Sequence, residues 1–166
     1  DHGYGRGGFT AGVVRSTGFD ENPIKISREK WEEGGRTRAS NGGVMRTAGC
    51  GCLVFWDENK VIENSTLFCK CTHYDPRCVF SSVLVSLIIS RLIQWRCGIR
   101  DSFDLDETIN DVKNHFTSPN KNDDVDFIQN FDSIDPFLFA DDLSDLRLND
   151  KRVPRTLNTM GCAIFV

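Results

Sequence analysis

The feature that most constrains this chain is the stretch from Asp75 to Trp95. Between Arg77 and Arg91 lie 13 residues, Cys78 to Ser90, that carry no charge and only serines for polarity. Asp75 followed by Pro76 supplies an N-cap and a first helical residue, because proline has no N–H to lose and its φ is already helical. The pattern predicts a helix from Pro76 to about Trp95, apolar nearly all round, and such a helix has to be wrapped by others. The apolar run of 13 residues falls short of the roughly 20 that cross a bilayer, so it is expected at the centre of a core and not as an anchor. Ser82, Ser86 and Ser90 recur every fourth residue, a small-residue stripe where a second helix approaches closely.

Elsewhere the periodicity is also helical. Ser27 is read as the cap of a short helix through Trp31 to Glu33, ended by Gly34 and Gly35. A helix is expected from Val44 through Leu53. Another is capped by Asp57, carries Val61, Ile62, Phe68 and Cys69 on one side, and ends before Pro76. Asp104 caps a further one, in which Leu105, Ile109, Val112 and Phe116 stand at i, i+4, i+7 and i+11. Short helices are expected around Phe137 to Leu146. The last helix carries Val153, Leu157, Met160 and Ile164 on one face, with an apolar side in want of a partner. His2 to Phe9 holds too many glycines for a helix and reads as loop. No strand pair stands out, so the fold class is all-α.

At 166 residues the chain has the size of one domain. Its start without Met and its end within an apolar run give it the look of an excised segment. Charge is divided unevenly: residues 1–100 hold 14 Lys/Arg against 10 Asp/Glu, whereas residues 101–150 hold 3 against 14. The acidic half, rich in Asn, Asp and Ser from Thr117 to Ile134, reads as a solvated loop or insertion at about 117–145. A chain with no extended basic face is a poor match for phosphate backbones, so nucleic acid is not expected as a partner, and neither is a membrane. Seven cysteines, an odd number, exclude a complete disulfide framework. Together with the lack of a visible signal segment, they lead to the expectation of an intracellular, cytoplasmic protein with reduced thiols.

Two stretches carry chemistry. In Gly35-Arg-Thr-Arg-Ala-Ser-Asn-Gly-Gly-Val-Met-Arg46, Ser40 and Asn41 precede two glycines and a helical pattern, which frees backbone N–H groups to face an anion such as a diphosphate. The alternative is that Asn41 merely caps the helix while the glycines make a tight turn. In Cys69-Lys-Cys-Thr-His-Tyr-Asp-Pro-Arg77, a histidine and an aspartate sit at a break between helices, where a side chain reaches a cleft. The alternative there is a capping Asp75 and an internally satisfied His73.

Taken in this order and spacing, the two stretches resemble the central portion of the ADP-ribosylglycohydrolase family, particularly its fungal-type members. Weaker similarity touches His2-Gly-Tyr, Thr17-Gly18, Leu146-Arg-Leu and Thr156 to Gly161, and the acidic linker shows none. The resemblance implies an orthogonal all-α bundle, present here as a single partial domain over 1–166. It also implies a hydrolase that removes ADP-ribose from modified protein side chains or related compounds, using two Mg²⁺ or Mn²⁺ ions. By resemblance, Ser40, Asn41, Gly42, Gly43 and Met45 cradle the diphosphate and its ribose, and His73 touches the same ligand. ADP-ribose or an ADP-ribosylated protein is the implied partner.

The chain departs from the family in its carboxylates. The Asp-Asp-Thr and Gly-Asp-x-Asp-Thr clusters that hold the metals in relatives are not in this sequence, and Asp123-Asp124 and Asp141-Asp142 are followed by Val and Leu. No catalytic residue is assigned, and the expectation is a truncated or inactive version of the enzyme. Arg155 stands where relatives have an aromatic residue. Three other readings compete with hydrolysis: a noncatalytic ADP-ribose-binding module, a zinc-binding domain built on Cys50, Cys52, Cys69, Cys71, Cys78 and His73, and a cysteine hydrolase pairing Cys71 or Cys78 with His73.

Overall fold

The computed structural model describes residues 7–117, 131–148 and 155–165. Within them the chain is helical, and the sole pairing of extended backbone is an isolated antiparallel bridge between Ser40 and Arg155. The all-α expectation holds.

The long apolar stretch forms α6 (Pro76–Arg96), and its burial explains the rest of the arrangement. Although it is long and apolar enough to cross a membrane, its surface is taken up by α3 (Gly42–Thr47), α4 (Cys50–Leu53), α5 (Glu58–Lys70), α7 (Leu105–Thr117) and α9 (Thr156–Ile164). Phe80, Val83 and Leu84 are fully buried, and the Phe80 ring meets Phe116 of α7 edge-on with centroids 5.5 Å apart. Each such side chain contributes about 2 kcal/mol of burial free energy. The serine stripe works as expected: Ser86 Oγ donates to the Thr47 carbonyl at 2.9 Å and Ser90 Oγ to that of Phe55 at 2.8 Å. A Cβ added at Gly51 would land on the Ser86 carbonyl oxygen, so glycine is what lets α4 lie directly on α6.

The caps at Asp57, Asp75 and Asp104 form as read. Their carboxylates accept from the amides of Lys60 (3.2 Å), Arg77 (3.0 Å) and Glu107 (2.9 Å). Other expectations are corrected. The helix around Trp31 is α2 (Pro23–Glu33), capped by Asn22 and begun by Pro23, while Ser27 lies buried in its interior. Asn22-Pro23 repeats the cap-then-proline logic of Asp75-Pro76. The expected Val44–Leu53 helix is two pieces, α3 and α4, broken at Ala48 and Gly49. Phe68 is 57% exposed and does not share the buried face of Val61 and Cys69.

Two further differences concern the chain's ends. Gly8 and Phe9, read as loop, open a helix, α1 (Gly8–Val14). The apolar side of α9 is covered within this chain, since Leu157, Met160 and Ile164 join the main core; Val153 lies outside the described residues. Of the acidic stretch, 118–130 lie outside the described residues. The part from Phe131 onward is packed: Ile134 and Leu138 of α8 (Asp135–Leu138) and its approach are buried against the same core, and Leu146 beyond is buried beside Gly161 of α9. Gly161 makes room for this, because a Cβ there would sit 2.6 Å from Leu146 Cδ2 and 2.8 Å from the Phe137 carbonyl oxygen.

Candidate functional site

The site begins where α2 ends. Gly35 and Arg36 both adopt left-handed φ, 68° and 59°, and the reversal carries the chain back as the extended segment 37–40. That segment is pinned at its end. The Thr156 amide donates to the Ala39 carbonyl at 3.0 Å, and the Cys78 thiol reaches the Ser40 carbonyl at 3.4 Å. Ser40 is thereby fixed between the start of α6 and the start of α9, and α3 begins immediately after it.

A cleft of ≈ 540 Å³ opens over this point, lined by Phe9 and Thr10 of α1, by Ser40, Asn41, Gly42, Met45 and Arg46, and by the backbone of Gly7 and Gly8. Four of the six site residues expected from the sequence therefore line one cavity. The amides of Gly42, Gly43 and Val44, the first turn of α3, meet no acceptor among the described residues. Asn41 does not cap the helix: its side chain makes no capping hydrogen bond. The glycines make no tight turn either, since both are helical. Their role is space. A Cβ on Gly42 would lie 2.9 Å from His73 Cε1 and 3.1 Å from Thr10 Oγ1, and one on Gly43 would lie 3.0 Å from Cys69 Sγ.

The other two expected residues stand behind the wall. Gly43 is buried, and His73, expected to touch the ligand, is 0% exposed. Its ring packs edge-on against Phe9, centroids 5.5 Å apart, and against the Gly42 backbone. Both ring nitrogens have hydroxyl partners, Nε2 with Ser40 Oγ and Nδ1 with Thr72 Oγ1, each at 2.8 Å. Burial, reinforced by the nearby Arg46 charge and opposed by Asp75, brings the His73 pKa down to about 4, so the ring is neutral near pH 7. Of this pair Ser40 lines the cleft, and His73 stands behind it.

Arg46 supplies the cationic edge. It is exposed on the cleft side, its Nε donates to the Gly42 carbonyl at 2.9 Å, and its Nη2 donates to Thr72 Oγ1. Asp75 proves to be more than a cap, since its buried carboxylate also accepts from Trp31 Nε1 at 2.9 Å and from Arg77 Nε and Nη2 at 2.8 and 2.7 Å. It ties α2, which leads into the loop, to the first turn of α6. Phe9, Thr10 and Thr72 were not singled out by sequence reasoning. Thr72 stood within the informative motif, whereas the glycines around Phe9 concealed a helix.

The cysteine readings fail on this geometry. All seven thiols are free. Burial pushes Cys69 up to about 12 and Cys78 well above the ordinary thiol range, so neither is a ready thiolate for zinc or for nucleophilic attack. Cys69 Sγ is turned to the His73 carbonyl at 3.4 Å, and neither ring nitrogen of His73 meets sulfur. Burial also raises Cys71.

The family model for ADP-ribosylglycohydrolases matches residues 1–165. The chain belongs to the ADP-ribosylglycohydrolase family. The match runs through the acidic stretch that carried no recognisable similarity, which agrees with the packing of Ile134 and Leu138 into the common core. No curated protein and no solved structure matches the chain. Family membership points to hydrolase-type chemistry, ADP-ribosylated substrates and dependence on a divalent metal.

The described residues do not fit such a metal. Among them no three His, Cys, Asp or Glu side chains converge as a ligand set, and hard divalent cations take several oxygen ligands. Asp141 and Asp142 are exposed, and Asp142 Oδ1 accepts from the Ser144 amide at 2.7 Å within its own turn. Asp123 and Asp124 lie outside the described residues.

Proposed function

We propose that the cleft at Ser40–Arg46 binds the diphosphate and adjoining ribose of ADP-ribose, free or attached to a protein side chain. The observation that carries this reading is the presence on one cavity of three kinds of anion donor: the Gly42 backbone at the start of α3, the Ser40 hydroxyl and the Arg46 guanidinium. α3 has six residues, so its dipole adds little, and the individual N–H groups do the binding. Asn41 and Met45 flank the same opening. Gly42 lines it with bare backbone, and Gly43 lets that backbone lie close to Cys69 and His73 behind the wall.

Glycosidic hydrolysis builds positive charge on the ribose and needs a carboxylate to manage the proton and the attacking water. Among the described residues the cleft lining contains no carboxylate. The chain is accordingly read as the nucleotide-holding part of an ADP-ribosylglycohydrolase, inactive by itself or a truncated form of the enzyme. A noncatalytic ADP-ribose-binding module shares the same site and differs only in whether turnover occurs. The seven free thiols support a reducing, intracellular setting.

Calorimetric titration with ADP-ribose, with and without Mg²⁺, combined with turnover of ADP-ribosylated arginine and serine peptides, tests the reading. Saturable binding that does not require Mg²⁺, without release of ADP-ribose from either peptide, is the expected result. Absence of binding at millimolar ligand would overturn the site, and Mg²⁺-dependent turnover would overturn the claim of inactivity.

A further inference from the structure

The buried His73 raises the question of why a cleft wall should be backed by an imidazole. Hydrogen-bond accounting answers it. Arg46 Nη2 donates to Thr72 Oγ1, Thr72 Oγ1 meets His73 Nδ1 at 2.8 Å, and His73 Nε2 meets Ser40 Oγ at 2.8 Å. A guanidinium can only donate, a hydroxyl has one proton to give, and a neutral imidazole has one donor and one acceptor nitrogen.

Starting from the fixed donor, one assignment satisfies every group. Arg46 occupies a lone pair of Thr72, the Thr72 proton goes to Nδ1, and Nε2–H donates to Ser40 Oγ. In the opposite tautomer Nδ1–H and Arg46 would both point at the Thr72 oxygen. The hydroxyl proton of Thr72, a residue only 3% exposed, would then have no acceptor among the described residues, at the cost attached to a buried orphan donor.

We infer that Arg46, Thr72 and His73 form a relay of fixed polarity that commits the Ser40 hydroxyl to act as a donor into the cleft, selecting ligands that present an anionic oxygen there. His73 and Thr72 are thus positioning residues that act through Ser40. The inference rests on the diphosphate reading above for the identity of the ligand, but the polarity of the relay stands on its own geometry. Gly42 belongs to the device, because any side chain there would displace the ring from Ser40.

The test combines nitrogen NMR of the His73 ring with ADP-ribose titration of the full chain. The wild-type ring is expected as the Nε2–H tautomer. Thr72→Val, which keeps the shape but removes the hydroxyl, should yield mixed tautomers and bind ADP-ribose about tenfold more weakly, the equivalent of one lost polar contact. His73→Gln, whose amide N–H replaces the Nε2 donor, should stay within about threefold of wild type, whereas His73→Ala should lose about tenfold or more. Thermal melts accompany each variant to separate misfolding from mispositioning. An Nδ1–H tautomer in the wild type would overturn the relay, and so would a Thr72→Val protein with unchanged tautomer and affinity. Failure of the wild type to bind ADP-ribose would instead sink the ligand reading, leaving the ring's tautomer to decide the relay.

Discussion

Two clusters of buried polar groups sit at opposite ends of α6, and they are wired differently. Near its C-terminal end, Arg91 is 5% exposed and donates to Glu58 at 2.8 Å, Asp111 at 2.7 Å and Thr108 at 3.1 Å, while Arg100 donates to the same Glu58 at 2.7 Å. In this network each guanidinium ends on carboxylates of the fold, Arg100 also reaching the exposed Glu107. Its charges are matched and it clamps α5, α6 and α7 together. At the N-terminal end, the chain Arg46–Thr72–His73–Ser40 is open and runs out in a cleft with its last hydroxyl proton uncommitted. A buried polar group next to a cavity is informative about function when its bonds end on a free donor in that cavity, and about stability when each donor ends on an acceptor of the fold.

The comparison breaks if the two clusters respond alike to mutation. Arg91→Met should have the largest effect, lowering stability in urea by roughly 3 kcal/mol because it leaves Glu58 without its main partner. Its affinity for ADP-ribose per folded molecule should match that of the wild type. A loss of affinity equal to that of the cleft variants would show that the two ends are coupled.

Acid should separate the clusters next. The His73 pKa is about 4 in the fold against an ordinary 6.5, so folding is unaffected by this group above pH 6.5. As pH falls from 6.5 toward 4, the unfolded ring takes a proton that the folded ring refuses, and stability drops by up to about 3 kcal/mol. Burial alone would raise the Glu58 pKa, but the hydrogen bonds and charges of Arg91 and Arg100 bring it below the ordinary 4.5. Its contribution is present above 4.5 and is lost only as pH falls below that. Urea midpoints measured from pH 7 to 4 should therefore fall in wild type and much less in His73→Gln.

Ser40→Ala sharpens the contrast from the other side. It should cost about 2 kcal/mol of ADP-ribose affinity, roughly 30-fold, as a hydrogen bond to a charged group does, and it should also lower the melting temperature, because the buried His73 Nε2–H loses its acceptor. Calorimetry and a thermal melt on the same sample check it. Met45→Ala should be the mildest change. Met45 is 64% exposed at the cleft mouth, so stability should move by less than about 0.5 kcal/mol and affinity by only a few fold.

The fold is largely legible in the sequence because its signals are local. Asp57, Asp75 and Asp104 announce helices that form where read, and the i, i+4, i+7, i+11 spacing from Leu105 to Phe116 names the buried face of α7. The features that stay hidden depend on distant partners. His73 at a helix joint looks the same in sequence whether its ring faces the cleft or the core. Phe9 and Gly42, far along the chain, decide it. The clamp at Arg91 is equally hidden, since its partners lie 33 and 20 residues away. Ser27 has the chemistry of a cap, but Asn22-Pro23, five residues earlier, carries the stronger signal and Ser27 faces inward. The site loop is legible as a segment that opens on a cleft. Its glycines look like turn formers because sequence shows that a side chain is missing but not what occupies the space.

The most direct test of the account is an amide NMR titration of the uniformly ¹⁵N-labelled chain with ADP-ribose. The largest shifts should fall on the cleft-lining amides of Ser40, Asn41 and Gly42, with the Arg46 side chain responding at the same ligand concentration. Saturable shifts centred elsewhere, for example on the hollow beside Ile62 and His115, or no shifts at all, would contradict it.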